Sequence, residues 1–454
     1  MIHNLLKRIA LTLLPVAVAS VQTAHGAETT SAIDGLLSNA AGRIQVRANA
    51  YTESPSRGDL RNGATEDSSL TLESTLHWNT WYRFDDGIRF DIAGWFEYGS
   101  PHGQRWTGGF KPWQDDASAS RPAVLNEFYV SLPVGDFDLS AGKTFLRNSM
   151  AGLYSPADRY TPADYNNPTE SKDMGIWQLR SDYHTDHWTA TLAILPVFQP
   201  SKFPTEDSRW FLDGAESIIG VPLPPFVSLG FDRDVPDEDV NLFASLRTRQ
   251  RGWDAFVSAY YGYAREPVFA IAPGPVLGSA EITMSYIKGL DLSAGLSTTR
   301  GSFEWHTEAL YYDPENDSDD TYIKGVWGFT YRPESLPDWL GCNQIVFTLD
   351  YAYEWIIEEQ NDPRYFLGSQ PFRFGLNTLL AEAYFEIDAR NELTLTLIQD
   401  FEDRADSVVR AKYAHRFDNG LSVGLIGEIF SGEGLYFGDW SANDRITLFA
   451  EFDF

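Results

Sequence analysis

The chain has 454 residues, with 64 acidic against 35 basic side chains and a formal net charge of −29. This acidic balance leaves no basic footprint for nucleic acid, so we expect no nucleic-acid partner. The single cysteine, Cys342, excludes an internal disulfide and the paired-cysteine motifs of zinc, redox or haem sites. Aromatic residues make up 14% of the chain, a load typical of membrane β-barrels, which gather aromatic side chains at both interfaces.

Residues 1–26 have the pattern of a secretory signal peptide. Two basic residues precede the apolar stretch 9–21, which is too short for a membrane-spanning helix. The small residues at 24 and 26 fit a signal-peptidase site, so we expect cleavage after Gly26. Residues 27–454 are predicted to form one domain. No later stretch approaches about 20 consecutive apolar residues, so we expect no membrane-spanning helix there.

Apolar and polar residues alternate along most of the chain, as they do in strands that separate two environments. Residues 69–84 are the clearest example, since Leu70 and Leu72 alternate with Thr71 and Glu73. The same pattern predicts eighteen strands, at about 42–53, 69–84, 88–98, 123–133, 136–147, 174–185, 187–198, 239–249, 252–264, 279–299, 302–312, 320–332, 343–357, 375–388, 391–402, 406–417, 420–430 and 444–454. Short glycine-rich or acidic turns alternate with long connections between them.

An even number of strands returns both chain ends to the same side of a barrel. We therefore interpret 279–299 as one long strand, because a split at Lys288 would make the number odd. The last strand places Ile446 and Leu448 on one face and ends on Phe454. It resembles the closing strand of bacterial outer-membrane barrels, and the resemblance implies that the barrel-assembly machinery binds this chain through Phe454.

Together these patterns predict an all-β fold, a single transmembrane antiparallel β-barrel of about eighteen strands (sixteen to eighteen). Short turns are expected on the periplasmic side and long loops outside, in the outer membrane of a Gram-negative bacterium. Lipid and lipopolysaccharide are then its surroundings. A β-sandwich or a β-helix would also alternate, but neither explains outward-facing Trp, Tyr and Phe on nearly every strand.

If the apolar faces contact lipid, the opposite faces line the lumen. The first half of the chain then supplies mostly basic residues and the second half mostly acidic ones, which gives two walls of opposite charge. The predicted pore-lining residues are Arg43, Arg47, Arg83, Arg89, Arg180, Arg247, Arg249, Glu304, Glu308, Asp350, Glu354, Glu382 and Glu386. Alternatively, these charges pair across adjacent strands and fill or solvate the lumen.

Two long connections are candidates for folding into such a lumen. Residues 148–173 contain aromatic and charged side chains that suit a constriction and can stack on sugar rings: Tyr154, Asp158, Arg159, Tyr160 and Asp164. The alternative is a surface loop folded over the rim. The longest connection, 201–239, either folds inward or contacts another subunit.

Motifs for catalysis are missing from the sequence. Neither Gly-x-Ser-x-Gly nor a phosphate-binding loop occurs, and histidines are few. Asp182, His184, Asp186 and His187 share one hairpin and could bind a metal, although an acidic turn with histidines is more simply a solvated one. We predict no enzymatic activity, no metal and no cofactor.

The segment 142–164, with Gly-Lys-Thr-Phe-Leu-Arg followed by Ser-Pro-Ala-Asp-Arg-Tyr-Thr-Pro-Ala-Asp, resembles large monomeric outer-membrane channels. So do residues 196–200 and 208–210. The alginate-export family and its porin-like relatives are the nearest group. The resemblance implies a transport role, but the acidic second half departs from the strongly basic pore of alginate exporters. We therefore predict a porin that lets small polar or charged solutes diffuse passively. The alternatives are a polysaccharide-export barrel and a plugged structural barrel.

Overall fold

A computed structural model describes most of the chain after residue 32. The described ranges are 33–53, 68–85, 87–100, 108–117, 119–204, 208–210, 227–237, 240–273, 280–362, 365–370, 373–402, 406–432, 437–438 and 440–454. The predicted signal peptide and its cleavage site lie outside the described residues.

Eighteen strands form one sheet, in which each strand pairs antiparallel with the strand before it and the strand after it. In chain order, β1 to β18 are Ala41–Tyr51, Leu70–Arg83, Arg89–Ser100, Ala123–Val134, Phe137–Thr144, Ile176–His184, Trp188–Leu195, Asn241–Gln250, Trp253–Tyr263, Lys288–Arg300, Phe303–Pro314, Thr321–Tyr331, Gln344–Glu358, Asn377–Glu386, Asn391–Asp400, Ser407–Arg416, Leu421–Ser431 and Arg445–Asp453.

The first and last strands close this sheet into a barrel. β1 pairs antiparallel with β18, so that Arg43 lies opposite Asp453 and Tyr51 lies opposite Arg445. Closure leaves the barrel without an unpaired edge, which satisfies the backbone hydrogen bonds of every strand. The prediction of an all-β, closed antiparallel barrel of about eighteen strands is confirmed.

The two ends of the barrel differ. At one end, called here the terminal end, the start of β1 and Phe454 lie at the same rim as short turns such as the one at Gly252, whose φ of 83° favours glycine. The longest turn at this end holds the short helix Leu336–Leu340. The other end, called here the loop end, carries the long connections, including the 3₁₀ turn Ser441–Asn443.

The outer face of the barrel is apolar. On β1 and β18, for example, Ile44, Val46, Ile446 and Leu448 are all exposed, and the residues between them point inward. Water-soluble proteins rarely expose contiguous apolar patches of more than a few hundred Å², so this surface is that of a membrane-spanning barrel. Within the part of the chain that the structure covers, no helix is both long and apolar enough to cross a membrane.

The interpretation of 279–299 as one strand is wrong. The barrel strand begins at Lys288, and Ala280–Ser285 belongs to a separate four-stranded sheet. That sheet also contains Val227–Asp234, Val268–Pro273 and Tyr365–Leu367. The chain does divide near Lys288, but the extra strand joins residues of three loop-end connections and never enters the ring. The barrel therefore keeps an even number of strands because the additional strand pairs outside it. Strand alternation alone does not indicate this pairing.

Candidate functional site

The connection between β5 and β6, residues 145–175, folds into the barrel and is called here the inner loop. It contains the 3₁₀ turns Pro156–Asp158 and Pro168–Glu170. A two-residue ladder between Ala163–Asp164 and Lys172–Asp173 makes it a hairpin. Prolines at the start of both turns fix the backbone there, which suits a loop that must hold its shape away from strand support.

The first arm of the inner loop docks on the wall formed by β11 to β13. The Glu308 carboxylate accepts hydrogen bonds from the backbone N–H groups of Met150 and Ala151, the latter at 2.8 Å, and from the Ser155 hydroxyl at 2.5 Å. Asp350 accepts the N–H of Leu153 at 2.7 Å. Both carboxylates lie midway along inward faces of their strands, so the arm crosses the lumen at mid-height.

A small residue permits this close approach. A Cβ atom at Gly152 would lie only 2.6 Å from the Thr348 methyl group and 3.3 Å from the His306 ring. His306 is itself buried and holds its Nε2 atom 2.6 Å from Asp350 Oδ1. The backbone of the inner loop therefore lies directly on the polar face of the wall. Any side chain larger than hydrogen at position 152 would prevent this approach.

The turn of the inner loop is anchored further along the same wall. Arg159 reaches Asp291 on β10 and Glu266, with nitrogen–oxygen distances of 2.9 Å to each. Tyr160 is 2% exposed and packs between Phe243 and Tyr260. Because ion pairs and ring packing act together here, this part of the loop is fixed to the barrel rather than resting at its rim.

The second arm reaches the opposite wall. Glu170 forms ion pairs with Arg47 on β1 and with Arg410 on β16. Arg445 on β18 donates to the Thr169 hydroxyl at 3.0 Å and also pairs with buried Glu428. The inner loop thus spans the lumen and is held at both walls by charged groups, whose hydrogen bonds are stronger than neutral ones.

A cavity of about 1030 Å³ remains beside the inner loop. Its wall runs from Gly42 and Phe454 at the terminal end to Lys172 on the loop hairpin. The charged residues around it are mixed in sign: Arg43, Arg47, Glu73, Glu97, Glu127, Arg147, Asp164, Glu170, Lys172, Asp173, Arg410, Lys412 and Asp453. A space of this volume can hold small hydrated solutes.

The strand registers put every predicted pore-lining residue on the interior face. They do not share one environment. Arg43 and Arg47 line the cavity, whereas Glu308, Asp350 and Glu354 are buried beneath loops. The others lie on interior faces elsewhere: Arg83, Arg89, Arg180, Arg247, Arg249, Glu304, Glu382 and Glu386. Their part in permeation stays a prediction.

Most of these interior charges have a close partner. Arg180 donates to Asp182 at 2.7 Å, and Arg89 does the same to Asp91 at 2.8 Å, each pair lying on one strand. On the acidic side, Lys324 approaches Glu354 at 3.0 Å. Pairing of this kind cancels much of the field that two bare walls of opposite sign would produce, since the partners lie far closer than the lumen is wide.

All five predicted constriction residues belong to the inner loop, and each makes a contact that shapes it. The Tyr154 hydroxyl donates to the Phe374 carbonyl at 3.0 Å, and Asp164 accepts from Ser120 and Asn166. Asp158, Arg159 and Tyr160 hold the turn. The tyrosine rings pack against protein, so the faces that could stack on a sugar are largely occupied.

Asp158 makes docking of the turn sensitive to pH. Its carboxylate accepts the Asn148 N–H at 2.6 Å, and burial, the dominant cause, raises its pKa to about 6 from 3.8. A raised pKa means that the folded loop is most stable when Asp158 is protonated and loses that stability as pH rises from about 4 to about 6. We expect current noise from loop movement to increase over this interval and Asp158→Asn to abolish the change. Equal pH dependence in the variant, in planar-bilayer recordings, would contradict this assignment.

Several residues of this site were not predicted from the sequence. Glu170 and Lys172 join the loop to the wall, and Arg209 with Trp210 occupies the loop end, yet none of these four lies in a barrel strand. Arg445 does lie on the inward face of β18, but alternation does not indicate that it binds the inner loop. For the two loop-end residues the sequence offers one signal, the Ser-Arg-Trp stretch at 208–210, which places a large aromatic ring directly beside a basic residue.

Comparison with known proteins reveals similarity in fold only. No protein-family model matches the chain, and no curated protein matches it. Among solved structures, a triple mutant of the Rhodopseudomonas blastica porin matches with a TM-score of 0.41 and 8% identity, over 91% of this chain and 99% of that chain. A second triple mutant of that porin has a TM-score of 0.39, 8% identity and the same two coverages. Similarity at this level leaves the function to be inferred from the lumen itself.

Proposed function

We propose that this chain is an outer-membrane channel through which small polar or charged solutes diffuse down their concentration gradient. The terminal end then faces the periplasm and the loop end faces the outside, with lipid and lipopolysaccharide around the barrel. The terminal Phe454 is the group that the barrel-assembly machinery would recognise. No energy source or cofactor is needed for such transport.

One observation supports the proposal: a polar cavity remains in the lumen beside the inner loop. The first arm and the turn of the inner loop occupy the side of β10 to β13, and the cavity of about 1030 Å³ remains on the side of β1 to β4 and β16. Its wall carries Arg and Lys beside Glu and Asp, so it offers water and polar solutes the hydrogen bonds that an apolar solute cannot use.

Planar-bilayer recordings of the purified protein test the proposal. We expect stable conductance steps in KCl. Replacing Arg47 with Gln should move the reversal potential toward cation selectivity, because Arg47 lines the cavity. Arg300→Gln is the matched control, since Arg300 is exposed at the end of β10, outside that cavity.

A second candidate is a plugged structural barrel, which is favoured by the buried loop residues near the loop end. Such a barrel would give no conductance although it is correctly folded. β-type circular dichroism and heat-modifiable migration in detergent gels would establish folding. A folded protein that never conducts, whatever the voltage or the variant, would contradict the channel and support the plugged alternative.

A further inference from the structure

A short helix, residues 33–38, precedes β1 and is called here the rim helix. It packs on β2 through two contacts. The Thr80 hydroxyl donates a hydrogen bond to the Leu36 carbonyl. Gly35 lies so close to the Tyr82 ring that a Cβ atom at that position would overlap it. The rim helix is therefore held against the barrel at a glycine, whose missing side chain permits the approach.

Both contacts lie on the outer face of the barrel. Ile44 of β1 is exposed on that face, and it lies opposite Leu76 of β2. Thr80 and Tyr82 share the face of Leu76, because alternate residues of a strand point to the same side. The rim helix thus lies outside the barrel rather than under its lumen, at the same rim as Phe454.

The rim helix also covers an open strand edge. β2 extends beyond its last pair with β1, Asn79 with Ala41, so residues 80–83 have no strand partner on that side within the described residues. The Asn39 side chain, directly after the helix, donates to the Trp81 carbonyl at 3.0 Å. Because a backbone group in lipid must be satisfied within the protein, this contact suits an edge at the membrane.

The surface of the rim helix has three sides. Gly35 faces the barrel. Ile33 and Leu37 are one helical turn apart and lie on the side opposite Gly35, where they are 59% and 71% exposed. Asp34 and Ser38 occupy a third side, which is polar and also exposed. The two large apolar side chains therefore point away from the barrel, into its surroundings.

This apolar side continues the lipid-facing surface of the barrel. β1, which follows the rim helix, lies between β18 and β2. On the β18 side, Phe452 and Phe454 are 40% and 60% exposed and stack with their ring centroids 6.4 Å apart. On the β2 side, the rings of Tyr82 and Phe84 meet edge to face at 4.8 Å. Aromatic residues of membrane barrels gather at the lipid–water interface, so the rim helix lies at that level.

We propose that the rim helix is an interfacial membrane anchor, which inserts Ile33 and Leu37 into the lipid leaflet at the terminal end. Its partner is the lipid surface itself. The side with Asp34 and Ser38 faces water, and the side with Gly35 rests on the barrel, a division that places a helix in the plane of the interface. The inference depends on the membrane-spanning barrel and not on permeation, so it can fail while the channel function stands, and the reverse.

Site-specific fluorescence of the full chain in phospholipid liposomes tests the anchor. Cys342→Ser removes the single cysteine, and Leu37→Cys then carries an environment-sensitive dye. We expect the dye emission to shift to the blue. A nitroxide attached near the lipid headgroup should quench it more strongly than a nitroxide at the chain end, because interfacial helices insert shallowly. Ser38→Cys with the same dye is the matched control, which aqueous iodide should quench instead.

Each outcome decides the proposal. Lipid quenching at Leu37→Cys with iodide quenching at Ser38→Cys supports the anchor. Iodide quenching of both dyes places the helix in water and overturns it, and equal lipid quenching of both contradicts the three-sided orientation. A dye at Leu37→Cys that neither quencher reaches contacts protein, which overturns lipid as the partner. Compact migration in detergent gels verifies folding, and Ile33→Cys, on the same side, replaces Leu37→Cys if that variant does not fold.

Discussion

Replacing Glu308 with Ala is expected to release the first arm of the inner loop and to raise single-channel conductance strongly. Glu308 accepts three hydrogen bonds from this arm, and each bond to a charged group contributes about 1.5–3 kcal/mol. A loss of about 4 kcal/mol would shift the docking equilibrium by roughly a factor of 1000. Because the arm crosses the lumen at mid-height, its release widens the lumen at that level.

Glu304→Ala is the matched control for this experiment. Glu304 lies on the same strand and the same inward face, but its partner is Arg332 at 3.3 Å, near the terminal end. We expect its conductance to resemble that of the wild type. Protease sensitivity near Ala151 provides a second readout of loop release. Unchanged conductance and unchanged cleavage in folded Glu308→Ala would show that this carboxylate does not hold the loop.

Replacing Arg373 with Met is expected to cause the largest loss of stability. Its guanidinium group is 1% exposed and contacts three carboxylates, at 2.8 Å for Glu354, 2.8 Å for Asp320 and 3.4 Å for Asp319. Burial already raises the pKa of Asp319, and Arg373 is the strongest influence that opposes this rise. Removing one partner of a buried ion pair costs about 3–5 kcal/mol, because the charge left behind stays desolvated.

The measurement is the temperature at which the folded barrel loses its compact migration in detergent gels, read also by circular dichroism. Arg390→Met is the control, since Arg390 pairs with Asp418 at 2.6 Å in an exposed turn, where ion pairs contribute about 0–1 kcal/mol. A clear decrease is expected for Arg373→Met only. Equal transition temperatures in the two variants would mean that the buried cluster tolerates its unpaired acids.

Much of the barrel could be predicted because strand alternation is a local property. Side chains two residues apart share a face, so the exposure of Ile44 and Val46 and the inward position of Arg43 and Arg47 follow from the order of residues. The same rule failed at 280–285, where a segment that alternates like a barrel strand pairs with loop residues instead. Alternation indicates a strand and its two faces, but it does not identify the strand with which that strand pairs.

Which charged side chains face the open lumen could not be predicted from strand alternation. Glu308, Asp350 and Glu354 were expected to present charge to the lumen, and the sequence correctly put them on inward faces. Two of these carboxylates bind the inner loop, and the third binds Lys324 and Arg373. Which inward charges face solvent is decided by which loops cover them, and loop conformation is not encoded by a short period in the sequence.

The sequence by itself determined the fold class, the approximate number of strands and the inward face of the predicted pore-lining residues, because these follow from a period of two between neighbours. Only the tertiary structure decided that the inner loop divides the lumen and that Trp210 fills part of the loop end. Those arrangements depend on contacts between residues far apart in the chain, such as Glu308 with Met150 and Arg209 with Asn443. Their free energy comes from desolvated hydrogen bonds and ring packing, which exist only once the barrel has closed.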